Sequence, residues 1–379
     1  MFDDAIEFIR SRFEGSESVH LHEPQFNGRE KEYLNDCIDS TFVSSVGKYV
    51  DRFEADMAAY TGARFSVATV NGTAGLHAAL LLAGVSEGDE VITQPLTFIA
   101  TANAITYCGA KPCFVDVDRE TLGLSSDALR RFLDEHTEMK GEVCRNKNTG
   151  RSIRAVVPMH TFGHSTRIDE IAEICQSHHI AVVEDAAESL GSLYKGRHTG
   201  TFGQLGVFSF NGNKTITAGA GGIIVTNDEA LARRAKHLTT TAKVPHTWEY
   251  VHDQVGYNYR MPNINAALAC AQLEGLEDVL ASKRALAKEY AEYFENTGIE
   301  FLKEPNDSTS NYWLNAVILD DRKHRNSFLE ETNQAGIVTR PIWRLMHQLE
   351  MYEDCFVGEL STAEWLVDRV VNIPSSARL

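Results

Sequence analysis

The chain has 379 residues, of which 43% are hydrophobic and 23% charged. That is the balance of an ordinary globular protein with ample length for a core, in one large or two medium domains. Its 53 acidic against 36 basic residues give a net charge of −17, and so acidic a surface repels phosphate backbones and anionic lipid, which makes nucleic acid and membrane poor partners.

The N-terminal stretch MFDDAIEFIRSRFEG is amphipathic and carries no cleavable-signal pattern. The most apolar run, LHAALLLAGV at 76–85, is far below the roughly 20 residues needed to span a bilayer. Seven scattered cysteines (37, 108, 113, 144, 175, 270 and 355), never spaced CxxC, fit reduced thiols in the cytoplasm better than disulfides or zinc. Cys175, His178 and His179 are close in sequence, but a helix-to-strand join accounts for them, and no metal is expected.

From residue 64 to 225, β-rich runs alternate with helical ones. FSVATV (65–70) precedes NGTAG and a helix over LHAALLLAG; EVITQ (90–94) precedes TFIATANAITYCG; PCFVDVD (112–118) follows. The polar segment TEMKGEVCRNKNTGRS (137–152) predicts a surface loop or hairpin. IRAVVPMH (153–160), helical IDEIAEICQSHH (168–179), IAVVED (180–185), GVFSF (206–210) and GGIIVTN (221–227) complete the series. Nearly continuous apolar strands alternating with helices predict an α/β fold on a mainly parallel sheet covered on both faces. After residue 265, one long helical pattern runs to Gly298, and a small αβ domain follows. The expected division is a large domain over 1–255 and a small C-terminal domain over 256–379.

Ligands of such sheets gather at the carboxyl ends of the strands. Asp185 ends IAVVED; as a lone residue it reads first as a helix cap. Lys214 changes that balance, because it lies between GVFSF and the glycine-rich TITAGAGG. There a partly desolvated amine is a candidate Schiff-base former. Pyridoxal phosphate (PLP) needs such a lysine, and it needs an acid partner for its pyridine nitrogen. NGTAG (71–75) offers backbone N–H groups at a helix N-terminus for the phosphate. Ser209 offers a hydroxyl, and Phe98 a ring for stacking. Dinucleotide-fold, P-loop, zinc-protease and nucleophile-elbow signatures are missing.

With those residues assembled, the chain resembles the DegT/DnrJ/EryC1/StrS family of PLP-dependent sugar aminotransferases. The likeness runs from HEPQFNGREKEYL to VNIPSS, through STFVSSVGKYVDRFE, VNGTAGLHAAL, GDEVITQPLTFIATANAI, AKPCFVDVD, VVEDAAESLGS, FSFNGNKTITAGAGG and VGYNYRMPNINAAL. The resemblance implies the aspartate-aminotransferase-like fold type I, with a large mixed or parallel-sheet domain and a small αβ domain. It makes Lys214 the cofactor-bonding lysine and proton carrier, and Asp185 the partner of the pyridinium nitrogen. Gly72, Thr73, Ala74 and Ser209 bind phosphate, and Phe98 stacks on the ring. Glu188 falls near the ring's O3′, where the family usually has Gln or His, and this departure bears on the protonation there. Asn258 would reach the cofactor of a neighbouring subunit in a homodimer, and Arg260 is structural or substrate-facing.

Within the family, the inserted NKNTGR, the motif NGNK and LTTTAKVPHTWEYVHDQVGYNYR resemble the legionaminic-acid (LegC) branch. That likeness implies glutamate as donor and a UDP-linked 4-keto-6-deoxy-N-acetylhexosamine as acceptor. Ser44, Ser45, Trp343 and His347 would line the sugar pocket. GDP-4-keto-6-deoxymannose, on the perosamine route, is the alternative acceptor. The family's PLP-dependent 3-dehydratases carry His in place of the lysine, and position 214 is Lys.

Overall fold

The structure is a computed structural model that describes residues 2–13 and 18–379. Its centre is an eight-stranded sheet in the order Phe65–Thr69, Gly222–Thr226, Leu205–Ser209, Ala181–Asp185, Ile153–Val157, Glu90–Thr93, Lys111–Phe114 and Phe356–Val357. Gly222–Thr226 runs antiparallel to both its neighbours, and every other pairing is parallel. The expected α/β architecture on a mainly parallel sheet is therefore present, with one reversed strand.

Successive residues of each strand feed opposite cores. Val67, Val91, Val157, Val183, Val207 and Ile224 pack with the helices Gly72–Leu82 and Ile99–Tyr107. Their chain neighbours Ile92, Val156 and Val182 pack on the other face with Ser126–His136 and Ile168–Ser177. Further along that face, Ala68, Phe208 and Ile223 meet Phe53, Met57 and Ala267. A strand buried on both sides has no polar face to alternate with, which is why these runs read as continuously apolar.

Two elements differ from the sequence reading. The long helical pattern after residue 265 is two helices, Asn263–Glu274 and Leu276–Phe294, broken at Gly275. The first packs with Phe53 and Met57 on the large sheet, and the second with the C-terminal strands, so one straight rod could not serve both. The strand expected over 112–118 ends at Phe114. Asp116 instead turns its carboxylate to accept the N–H groups of Thr362 (2.9 Å) and Ala363 (2.8 Å) at the start of helix Ser361–Val367. The polar segment 137–152 forms the hairpin Thr137–Lys140 and Val143–Asn146.

A second, four-stranded antiparallel sheet follows, in the order Glu300–Phe301, Asn315–Ile318, Val370–Ile373 and Arg340–Pro341. Helices Leu276–Phe294 and Arg322–Gln334 pack on it together with the N-terminal helix Asp3–Ser11. Among the described residues no helix is long and apolar enough to cross a membrane, and no three His, Cys, Asp or Glu side chains are grouped to hold a metal. All seven cysteines are free and buried.

Candidate active site

Asp185 closes its strand at the centre of the sheet and is 3% exposed. Its Oδ2 accepts the Thr101 hydroxyl at 2.7 Å, and its Oδ1 accepts the Ala187 N–H at 3.2 Å. Burial pushes this carboxyl above the usual carboxylate range, opposed by these two donors and by the positive charge of Lys214. A cation set against it would hold it ionised.

Lys214 lies on the return from Leu205–Ser209 to Gly222–Thr226. The neck of that return is closed by the Ser209–Gly222 pairing, by Phe210 N–H to Gly221 O and by Ala218 N–H to Phe210 O, both 2.9 Å. Its side chain is 12% exposed, with Nζ 3.4 Å from Glu188 Oε1. The same Nζ stands 4.0 Å from the centre of the Trp313 ring, a cation–π contact. Trp313 is fixed in turn by its indole N–H donating to Asn213 O at 2.7 Å.

Glu188 joins the two groups, since the charges of Lys214 and Asp185 both act on it. Its Oε2 accepts the Phe162 N–H at 2.9 Å, and burial lifts its pKa to about 7. Phe162 adopts φ 57° to present that N–H, a left-handed backbone that a bulky residue keeps only when its surroundings hold it. A carboxyl raised from 4.5 is bound more tightly to its proton in the folded chain. It therefore favours folding at low pH and costs stability as pH rises from about 5 through 7. Glu188→Gln should remove that component, so the unfolding midpoint of the cofactor-free variant should fall less than wild type's between pH 5 and about 7. Parallel midpoint curves would show that Glu188 is not the titrating group.

The turn at the end of Phe65–Thr69 leads into helix Gly72–Leu82, whose N-cap is Asn71. Asn71 takes the Ala74 N–H on its side chain (2.8 Å) and the Gly75 N–H on its carbonyl (3.1 Å). The Gly72 and Thr73 N–H groups, ahead of these in the first turn, are left to serve an anion. A Cβ on Gly72 would come within 2.9 Å of Ser209 Cβ, and one on Gly222 within 2.5 Å of the Asn71 carbonyl carbon. The helix start and the Ser209 hydroxyl thus form one tight cup. A buried carboxylate, a lysine amine and an anion cup at neighbouring strand ends fit the pyridine nitrogen, carbonyl and phosphate of PLP.

Residues 24–379 match the model of the DegT/DnrJ/EryC1/StrS aminotransferase family. The chain belongs to this family. It is a PLP-dependent sugar aminotransferase. The chain is 38% identical to a GDP-perosamine synthase of Escherichia coli O157:H7 over 357 residues, which is 94% of this chain and 93% of that protein. A second GDP-perosamine synthase, from Vibrio cholerae, is 36% identical over 337 residues, 88% of this chain and 87% of the relative. The crystal structure of the aminotransferase TlmJ from Streptoalloteichus hindustanus superposes with a TM-score of 0.85 at 26% identity, covering 94% of this chain and 93% of TlmJ.

In this aminotransferase the other residues singled out by sequence are placed as follows. Phe98, 49% exposed, precedes helix Ile99–Tyr107, and its ring is 6.5 Å from Trp343. Trp343 packs at 5.2 Å on Phe162, the residue that donates to Glu188, so both aromatics share one wall of the site. His347 lies against Phe114 at 6.5 Å with a buried, unpartnered Nδ1, and burial lowers its pKa. Ser44 is exposed and its carbonyl accepts the Asn263 N–H; Ser45 is half-buried. Arg260 bridges to Thr69 just before the cup, and its Nε donates to Asn258 Oδ1 at 3.0 Å, while Asn258 itself is exposed.

Besides Phe162, three residues of the site were not singled out by sequence. Thr101 stands one helical turn beyond Phe98, the spacing that would have found it. Trp313 reads as core of a C-terminal strand, and no local signal marks it. Asn311 donates through Nδ2 to Glu188 O (2.9 Å) and Leu190 O (2.8 Å), beside the Thr215 hydroxyl at 3.2 Å. It ties the C-terminal part of the chain to both the Glu188 turn and the lysine loop.

Proposed function

We propose that this enzyme moves an amino group from glutamate to C4 of a UDP-linked 4-keto-6-deoxy-N-acetylhexosamine, giving a 4-amino-4,6-dideoxy nucleotide sugar in the cytoplasm. The observation that carries amino transfer is the grouping of Lys214, Glu188 and Asp185 around one aromatic-walled space. PLP, when bound, supplies a cationic ring that draws electrons from the carbon losing its proton.

With PLP bound, Lys214 would be the residue that holds it, and its amine would serve as the base for the proton at the glutamate Cα and as the acid toward C4 of the sugar. Asp185 keeps the ring nitrogen protonated, with Thr101 fixing its orientation. Glu188, sharing its carboxylate between Lys214 and the Phe162 N–H, would face the ring hydroxyl. Gly72, Thr73 and Ser209 bind the phosphate; Ala74 contributes by fixing the Asn71 cap. Phe98 would stack on the ring, and Trp343, His347, Ser44, Ser45 and Arg260 would border the sugar.

The exposed Asn258, with exposed Phe42, Val46, Trp248, Tyr250 and Val255, supports a homodimer in which Asn258 reaches the partner's phosphate cup. A single-chain mass by light scattering would remove Asn258 from the site.

The likeness to two GDP-perosamine synthases favours a second acceptor, GDP-4-keto-6-deoxymannose. Glutamate offered with a panel of UDP- and GDP-linked 4-keto-6-deoxy sugars, with the product identified by mass, decides between them. The UDP-linked amine is the expected product. If the GDP-linked amine forms instead, the acceptor assignment changes; if glutamate fails to bleach the visible band of the PLP-bound enzyme, amino transfer itself is overturned.

The cup gives a separate expectation. Gly72→Ala places a methyl 2.9 Å from Ser209 Cβ, and that overlap displaces either the hydroxyl or the helix start at a typical cost of 1–3 kcal/mol. PLP titrated into the cofactor-free variant should bind at least about tenfold more weakly, with little change in fold. Unchanged affinity would place the phosphate elsewhere.

A further inference from the structure

We propose that His22 is a specificity-determining residue of the sugar half-reaction, its ring pairing with a hydroxyl or carbonyl of the acceptor beside Lys214. The proposal rests on the amino-transfer reading. His22 belongs to the HEPQ segment, to which no role has been attached so far. Both its ring nitrogens are buried and neither has a hydrogen-bond partner. Two orphaned polar atoms on one side chain are costly to bury, and in a native fold they ask for an occupant.

The backbone contacts place His22 beside the C-terminal segment, and the charges of Lys283 and Lys214 both reach its ring. Leu21 O accepts the Ser375 N–H at 2.7 Å, and the Glu23 N–H donates to Ser376 Oγ at 2.9 Å. His22 is thereby clamped along the C-terminal NIPSS segment. Lys283, fully buried, donates to Ser375 O and, at 3.2 Å, to Trp313 O. The Trp313 ring carries Lys214 Nζ on its face. His22, Ser375, Lys283, Trp313 and Lys214 are therefore one contiguous group.

The chemistry selects the ligand. Burial, then the charges of Lys283 and Lys214, hold His22 well below its ordinary pKa, so the ring is neutral and offers one donor and one acceptor. That pair matches a sugar hydroxyl or an amide. A carboxylate of glutamate could accept from the donor nitrogen but would leave the acceptor nitrogen unpaired, whereas the hydroxyls of a sugar can serve both. His164 also has two orphaned ring nitrogens, but burial alone accounts for its lowered pKa and no lysine of the site acts on it.

The test uses the PLP-bound enzyme and its His22→Ala and His22→Gln variants, with whichever 4-keto nucleotide sugar wild type aminates. In His22→Ala the visible band and the rate of its bleaching by glutamate should be unchanged. KM for the sugar should rise at least about tenfold, the size expected when a buried hydrogen bond loses one partner. His22→Gln, which keeps a donor and an acceptor, should recover most of that loss, and it serves alone if the alanine variant does not fold. Unchanged KM for the sugar, or an equal fall in the glutamate step, overturns the assignment. Wild type that fails the glutamate step would overturn amino transfer instead.

Discussion

Lys214→Ala should abolish amino transfer, lowering the rate by at least about 10⁴-fold, because in the proposed reaction one side chain supplies both the covalent tether and the moving proton. No other amine can substitute. Lys283 is the nearest in the contact network, but it is fully buried and its Nζ is held by the Trp313 and Ser375 carbonyls, so it is not free to swing into the site. The fold should survive, since among the described residues the amine pairs with the Glu188 carboxylate and the Trp313 face. Removing that cation leaves Glu188 with burial less opposed, so its pKa should climb further above about 7. The absorbance spectrum of the PLP-bound variant and a single turnover with glutamate check both points. Turnover within tenfold of wild type would remove Lys214 from the chemistry.

Asp185→Asn should lower amino transfer by about 10³-fold through loss of charge rather than shape. The amide fits the same space, and the Thr101 hydroxyl, now 2.7 Å from Oδ2, can bond either end of it. The stability effects should have opposite signs with and without cofactor. The raised pKa of Asp185 means that folding of the cofactor-free chain weakens as pH climbs from its ordinary value through the raised one. An uncharged amide escapes that cost, so the cofactor-free variant should melt higher than wild type at neutral pH. With PLP the order should reverse, because the amide no longer attracts the ring cation. Melting curves recorded with and without PLP test this crossover. A variant that melts higher in both states would mean that Asp185 does not face the ring nitrogen.

Much of this site was legible because chemistry in an α/β sheet collects where strands end. Asp185, Ser209 and the Asn71 turn each close an apolar run, and Lys214 sits a few residues past the run that Ser209 closes. The sheet itself showed in the sequence for a physical reason: Val156 and Val157, or Val182 and Val183, serve opposite cores and are equally apolar. What stayed hidden depends on contacts made at long range. Trp313 lies 100 residues from Asn213, the residue that anchors it, and its sequence neighbours belong to a different sheet. The break at Gly275 was hidden too, because the helical period continues across it and only the two separate packing surfaces impose the bend. The short edge strand Phe356–Val357 is too brief to carry a pattern and exists by pairing with Lys111–Phe114.

The closed neck of the lysine loop has a mechanical consequence. In the proposed reaction the tether would be released and recaptured in every cycle, and a freely wandering loop would make its return slow. Here the stalk is pinned by sheet hydrogen bonds at its base, so only the flexible methylene arm of Lys214 needs to swing. Amides at the stalk should resist hydrogen exchange almost as well as the strands themselves, and this resistance should persist when the arm is detached. Recapture then needs only a short-range motion of one side chain.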